Sequence, residues 1–544
     1  MKSYRSVAAA GCGKLDRYDN GEPGFAGLIV PTDVSTMLLL KRLTAAASAL
    51  LVFLTAPGVA SAAGRSTDAS LPDLNLPSLG TVAGADLSLQ DERDIGEAFM
   101  KEIRADKDYL ADPEITDYLN RLGWRLVTAG PVPPFHFFFF PMKDRTLNAF
   151  AMPGGFVAVH TGLITAAQTE SELAGVMGHE IGHVAQRHIA RMINEGSDSL
   201  AITLGSILLA VLAAKAGGSS GGDAAVAIAM GTQGALLQKQ LKFSRDAERE
   251  ADRTGFSRLV NAGFDPKGME DFFSRLAKEN RYYENDVTAF LSTHPLSSER
   301  MSDMQNRSRN VRRSDAVSSL DFYLVRARAR VLQETGYDGW LKLSKIFADE
   351  TKTLKGRELA AAYYGEAVAL ARMNRPAAAL TALRNARSAA GTTSLILEKA
   401  LAETTFAAAQ TPAEKAAALK TARATAAAYP DSAMAASSCA ELLWQAGDNA
   451  GVVSFLRRQT ALTRSDPDYS ALLARSYEAL GQKSAAFAAT GDMYAQAGNH
   501  RAAVYQFDLA QKANDGDFYL MSEIDAKLRE ERRRVLDEKA DAKR

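Results

Sequence analysis

Two histidines four residues apart, His179 and His183, flank a glutamate, Glu180, and these three residues are the ones in the chain best suited to chemistry. On a helix, positions i and i+4 share one face about a turn apart, so both imidazoles can hold a single metal ion. Zinc suits this donor set, one Zn2+ per chain, and the intervening Glu180 is placed to take a proton from a water on the ion. With only seven histidines in 544 residues, this spacing around a glutamate is not a pattern that chance readily supplies. The flanks predict the helix itself. Thr169 and Glu172 read as a capping box, and Leu173, Val176, Met177, Ile181 and Val184 recur at helical spacing.

A third ligand must come from elsewhere. Ser244 to Gly255 reads as a helix with a serine cap and a glycine stop, carrying Glu248 and Asp252 four apart on one face. A carboxylate completes a two-histidine zinc site and leaves one position open, as catalysis requires. Asp252 is then suited to orient a ligand histidine from behind. Spacing by itself does not choose between Glu248 and Glu250. A third histidine further along the first helix would need glycine at Gln186 and histidine at Ile189, and neither is there. His188 lies five residues beyond His183, on a different face of a continuous helix, and is read as structural or exposed.

The elements that must position these residues are legible in outline. Helical spacing starts near Asp91, and Asp112-Pro113 marks a second helix by its cap and first-turn proline. Residues 135–140, 146–152 and 156–160 read as strands, with a turn at Pro153-Gly154-Gly155. A short sheet just before the metal helix matters, because an edge strand can hold a substrate backbone by strand addition. Spacing alone does not say which strand is the edge. Two apolar stretches, 199–214 and 224–238, fall short of the roughly 20 residues a spanning helix needs, and read as a helical hairpin over the site or a peripheral membrane contact.

Composition bounds the rest. The chain is long enough for two or three cores, and a net charge of zero argues against a nucleic-acid partner. Cys12 and Cys439 are the only cysteines, too few for a thiolate zinc site or a disulfide framework. Met37-Leu-Leu-Leu-Lys-Arg, an apolar run over 43–56 and Ala60-Ser61-Ala62 read as a signal peptide over 37–62, which predicts export to the periplasm. Residues 1–36 look unlike an n-region, so Met37 is expected as the true start. Residues 63–90 read as a linker.

Asn148-Ala-Phe-Ala-Met-Pro-Gly-Gly, His179-Glu-Ile-Gly-His, Ser244-Arg-Asp-Ala-Glu-Arg-Glu-Ala-Asp and Thr293-His-Pro-Leu-Ser-Ser-Glu-Arg300 occur here in the order seen in HtpX-like and CAAX-prenyl-protease-like zinc metallopeptidases. The chain resembles in particular their periplasmic branch, which ends in tetratricopeptide repeats and whose members are associated with outer-membrane protein quality control. That resemblance implies His179, His183 and Glu248 as zinc ligands, Glu180 as general base and Asp252 behind the ligands. It places His294 and Arg300 on a loop at the active-site mouth. His294 would act there either as a latch filling the open zinc position or as a donor to the oxyanion, and the latch is the favoured role.

From about Arg357 the chain becomes alanine-rich and repetitive, with similar helix ends at Gly447 and Gly481, one 34-residue period apart. The expected fold is therefore mainly α. A zincin-type helical metallopeptidase domain with a small β-sheet spans 91–356, a separable tetratricopeptide-repeat array 357–520, and a charged helical tail 521–544. The expected function is an exported zinc endopeptidase acting on misfolded or stalled envelope proteins, its repeats contacting the outer-membrane assembly machinery. The alternative is a periplasmic chaperone or scaffold with latent or secondary peptidase activity.

Overall fold

Side-chain caps start the first two helices, and of these only the Asp112 cap is marked in the sequence reading. In the computed structural model, which describes residues 87–194, 243–282, 288–312, 314–459 and 467–541, Ser88 and Asp91 form a capping box that opens α1 (Leu89–Ala105). Asp112 accepts from the Ile115 amide at 3.1 Å, and Pro113 takes the first position of α2 (Pro113–Val127). The segment read as a signal peptide, the expected linker up to residue 86 and both apolar stretches lie outside the described residues. Among the described residues no helix is long and apolar enough to cross a membrane.

A three-stranded sheet follows, built from β1 (Phe138–Met142), β2 (Ala149–Met152) and β3 (Phe156–His160) in the order β1-β3-β2. β1 runs parallel and β2 antiparallel to the central β3. The turn between β2 and β3 needs glycine, because Gly154 has a φ of 77°. The second strand is shorter than the pattern suggested and begins at Ala149. Asp144 draws the preceding segment into a loop by accepting from the Thr146 amide at 2.8 Å. The outer side of β1 is closed by Asn120 of α2, whose amide group bonds the carbonyl and N–H of Phe139 at 2.7 and 3.0 Å. β2 is the other edge.

A short helix α3 (Thr161–Ala166) leads to the metal helix α4 (Glu170–Ala185), which is buried from Glu170 to Val184. Thr169 caps it by accepting from the Glu172 amide at 3.2 Å. The reciprocal half of the expected capping box is absent. Glu172 instead accepts from the Gln168 amide and pairs with Arg275 at 2.6 Å, a stronger, charged partner. After α5 (His188–Asn194) the described chain resumes with α6 (Arg245–Asn261), capped by Ser244.

Gly255 does not stop α6. A Cβ there would lie 2.7 Å from the backbone carbon of Gly178 and from the amide nitrogen of His179. Its role is to let α6 touch α4 backbone to backbone, helped by Gly178 and Gly182. Gly263, at φ 79°, follows the true end. α7 (Lys267–Tyr282), α8 (Thr288–Thr293) and α9 (Ser298–Asn310) complete the surround, α7 packing on α4 and α9 on α6 and α7.

The remaining chain is helical: α10 (Leu320–Leu332), α11 (Tyr337–Glu350), α12 (Gly356–Arg372), α13 (Pro376–Ala390), α14 (Leu395–Ala408), α15 (Pro412–Ala428), α16 (Ala433–Gln445), α17 (Asn449–Leu456), α18 (Pro467–Ala479), α19 (Lys483–Gln496), α20 (His500–Ala513) and α21 (Phe518–Asp541). From α11 onward each packs on its chain neighbour, as stacked helix pairs do, whereas α10 packs on α12, α3 and α2. Gly447 and Gly481 both adopt positive φ, at 77° and 74°. The composition change near 357 is no break in packing. One hydrophobic core runs from Ile115 through α4, α10 and α12 to Leu472. A separate small cluster around Phe507, Ile524 and Leu528 closes the far end, so α21 buries one face against α20.

Candidate metal centre

The glycine contact between α4 and α6 sets the site. It holds the first turns of α6 beneath the two histidines of α4, and α8 delivers His294 from the other side. One ligand-type atom from each of His179, His183, Glu248 and His294 lies within 4.8 Å of all the others, and all four residues are buried. His179 Nε2 is 3.0 Å from His183 Nε2 and 3.3 Å from His294 Nδ1. Glu248 stands 3.4 Å from His179 Nε2, 3.5 Å from His183 Nε2 and 2.9 Å from His294 Nδ1. Tetrahedral zinc with ligands at about 2.0–2.1 Å separates its donors by roughly 3.3–3.4 Å. The four donors thus fit a zinc ion.

The ambiguity of the third ligand is resolved by which face of α6 meets α4. Glu248 joins the cluster, whereas Glu250 points away to Arg191 at 3.0 Å and is partly exposed. Asp252 sits behind His179, its carboxylate 2.9 Å from Nδ1. Arg300 grips Asp252 with two N–H bonds of 2.7 and 2.8 Å and reaches Glu248 at 2.7 Å. Glu180 lies beside the cluster. Its Oε2 accepts from the Ala151 amide of β2 at 3.0 Å, and its buried Oε1 has no hydrogen-bond partner among the described residues.

The expected mouth loop is placed differently. His294 and Arg300 are both buried, His294 within the cluster and Arg300 behind it, because the guanidinium is held by two buried carboxylates. His188 is likewise not on a separate face. Arg187 adopts φ 53°, which ends α4 and turns His188 back, so that its Nδ1 is 2.9 Å from His183 Nδ1. A helical wheel cannot show this. Phe243 was also unmarked, although its ring stacks on His183 with centroids 3.9 Å apart.

The ionisable groups of the site are shifted in opposite directions. Burial pushes the His179 ring down, but Asp252 and Glu248 outweigh it and raise its pKa to about 10. Burial pushes His183 well below the usual range, and the charge on His179 adds to this. Burial would raise Glu248, yet His294 and His179 hold it below the usual carboxylate range. Glu180 moves the other way: burial raises it, and His294 and His179 offset this only in part.

Residues 113–308, which carry all of these groups, match the model of peptidase family M48. The M48 match thus falls on the segment that builds the site. The beta-barrel assembly-enhancing protease of Escherichia coli (strain K12) is 38% identical over 299 residues, 54% of this chain and 58% of that one. Its namesake in Yersinia pestis is 38% identical over 315 residues, 57% of this chain and 62% of that one. The metalloprotease LoiP of Escherichia coli (strain K12) is 32% identical over 176 residues, 32% of this chain and 63% of that one. The chain spans about three fifths of the length of these curated relatives. In the M48-matching segment the ligand helix, the carboxylate helix and the sheet edge are locked together before the C-terminal helices are reached.

Proposed function

We propose that this protein is a zinc endopeptidase of the M48 type, held latent in the conformation described. The observation that carries the reading is the convergence of His179, His183 and Glu248, with the free oxygen of Glu180 beside them. Those three would hold the zinc, which when bound acidifies a water and polarises the scissile carbonyl. Glu180 Oε1 takes the proton from the attacking water and passes it to the leaving amine nitrogen. Burial raises the Glu180 pKa toward the range where a carboxylate can both accept and return a proton. The Ala151 N–H fixes the other oxygen, so only Oε1 is left to move a proton.

Latency rests on His294 and on burial. Its Nδ1 is a fourth donor in the cluster, and its Nε2 is 3.5 Å from Glu180 Oε1. Both ring nitrogens are thereby turned to site residues, which favours a latch over a donor to a substrate oxyanion. Ala149 and Ala151, the β2 residues whose N–H groups face away from β3, are buried as well. A substrate strand along that edge needs the cover to move first.

Relatives named for enhancing β-barrel assembly support envelope proteins that are misfolded or stalled in assembly as substrates. Export to the periplasm, repeat-mediated contact with the assembly machinery and a peripheral membrane contact through 199–238 belong to the same reading. Closure of the site also favours a second role as a chaperone or scaffold with only latent peptidase activity. Metal analysis and hydrolysis of an unfolded envelope protein test the proposal. One zinc per chain is expected. Glu180→Gln should retain the zinc but lose about 10²–10⁴-fold or more in rate. A metal-loaded variant cutting at the wild-type rate defeats the mechanism, and client binding without cleavage by either protein favours the scaffold.

A further inference from the structure

We propose that His188 is a positioning residue for the metal centre, fixing the ring form of His183 through a relay that ends on Glu250 and Arg191. This rests on the reading of His183 as a zinc ligand. A ligand imidazole binding through Nε2 must carry its proton on Nδ1, and that N–H needs an acceptor when buried. His179 has one in Asp252 at 2.9 Å, itself gripped by Arg300. For His183 the residue facing Nδ1 is His188, whose Nδ1 lies 2.9 Å away.

The rest of the relay fits that direction. With Nδ1 accepting, His188 carries its proton on Nε2, and Nε2 is 3.1 Å from Glu250 Oε2. The same oxygen pairs with Arg191 at 3.0 Å. The proton order is therefore His183 Nδ1–H to His188, and His188 Nε2–H to the Glu250 carboxylate. The backbone is shaped for it. Arg187 sits at φ 53°, a conformation unfavourable for a side chain of its size, and its guanidinium is pinned to Glu92 at 2.6 Å and to the Leu87 carbonyl. This turn returns His188 to His183 only five residues after it. Glu250, which spacing left as a rival third ligand, acquires a role: it supports the other histidine.

The experiment measures zinc affinity by competition with a chromophoric chelator, alongside metal-free melting temperature. Wild-type protein must first bind zinc one to one. If it does not, the ligand assignment fails, and with it this inference. His188→Leu removes the acceptor and should weaken zinc binding 10–100-fold. His188→Asn places an oxygen near the position of Nδ1 and should recover most of that loss. A merely structural His188 would lower the metal-free melting temperature in both variants and leave affinity unchanged. Glu250→Ala, at a partly exposed position, should weaken binding several-fold, and it decides the matter if His188→Leu does not fold. Wild-type affinity in His188→Leu overturns the proposal. So does wild-type affinity in Glu250→Ala, or an Asn variant as weak as Leu.

Discussion

Lys399, on α14 in the repeat region, places its ammonium 2.8 Å from the carboxylate of Glu114 in the first turn of α2, and both groups are buried. Arg328 of α10 reaches the same glutamate at 3.0 Å and Asp112 at 2.7 Å. The C-terminal helices are thus tied to the M48-matching segment by charge as well as by a shared core. Removing one member of a buried pair strands the other and costs about 3–5 kcal/mol. Lys399→Met leaves Glu114 with Arg328 as a partner, so the loss in chemical denaturation should fall short of that figure. A chain ended at residue 356 should melt below the full chain, and an unchanged midpoint would restore the separable array that composition suggests.

Acid should weaken the same joint. Burial pushes the Glu114 carboxyl up, but Arg328 and Lys399 outweigh it and bring its pKa from 4.5 down to about 2. The folded protein therefore binds fewer protons here than the unfolded chain between those two values. The stabilisation is complete above about pH 4.5 and is lost as pH falls toward about 2. Melting temperature against pH, for wild type and Glu114→Gln, should show a gap that narrows across that window. A constant gap would mean that another group governs the acid limb.

Gly255→Ala tests the contact that builds the site. The added methyl meets Gly178 and the His179 amide at 2.7 Å, both backbone, so α6 must shift away from α4. Overpacking of this kind costs about 1–3 kcal/mol. Because Glu248 rides on α6, zinc affinity should fall along with stability. A variant that melts lower but binds zinc as tightly as wild type would show that the helix contact does not set the ligand geometry.

What the sequence disclosed is what short-range rules govern. His179, Glu180 and His183 are joined by one helical turn, and Asp112-Pro113 opens α2 by chemistry within four residues. The missed features depend on partners distant in the chain. Glu248 and Glu250 are equally suitable until the glycine contact with α4 chooses a face. Gly255 looks like a stop because a local rule cannot see Gly178. His188 was placed by a helical wheel that assumes helix throughout, and Arg187 breaks that assumption with a positive φ supported by Glu92, nearly a hundred residues earlier. His294 is expected at the mouth, and its place in the cluster rests on His179 and Glu248, 115 and 46 residues earlier, at 3.3 and 2.9 Å from its Nδ1.

His294→Ala separates the two roles of that residue by sign. As a latch, the imidazole competes with the substrate for the fourth position around the ion, so its removal should raise turnover and promote self-cleavage. As an oxyanion donor, it stabilises charge that develops only during reaction, and its loss should cost about a hundredfold or more. Geometry favours the latch: Nδ1 is 2.9 Å from Glu248 and 3.3 Å from His179, and Nε2 faces Glu180 at 3.5 Å, so neither nitrogen is directed at a substrate. The alanine also removes a ring stacked between Phe290 and Phe243, so the metal-free melting temperature must be followed in parallel. Steady-state hydrolysis of an unfolded substrate at matched zinc occupancy gives the answer. A rise with modest loss of stability supports the latch, a large drop with zinc retained assigns the oxyanion role, and an unchanged rate removes His294 from the mechanism.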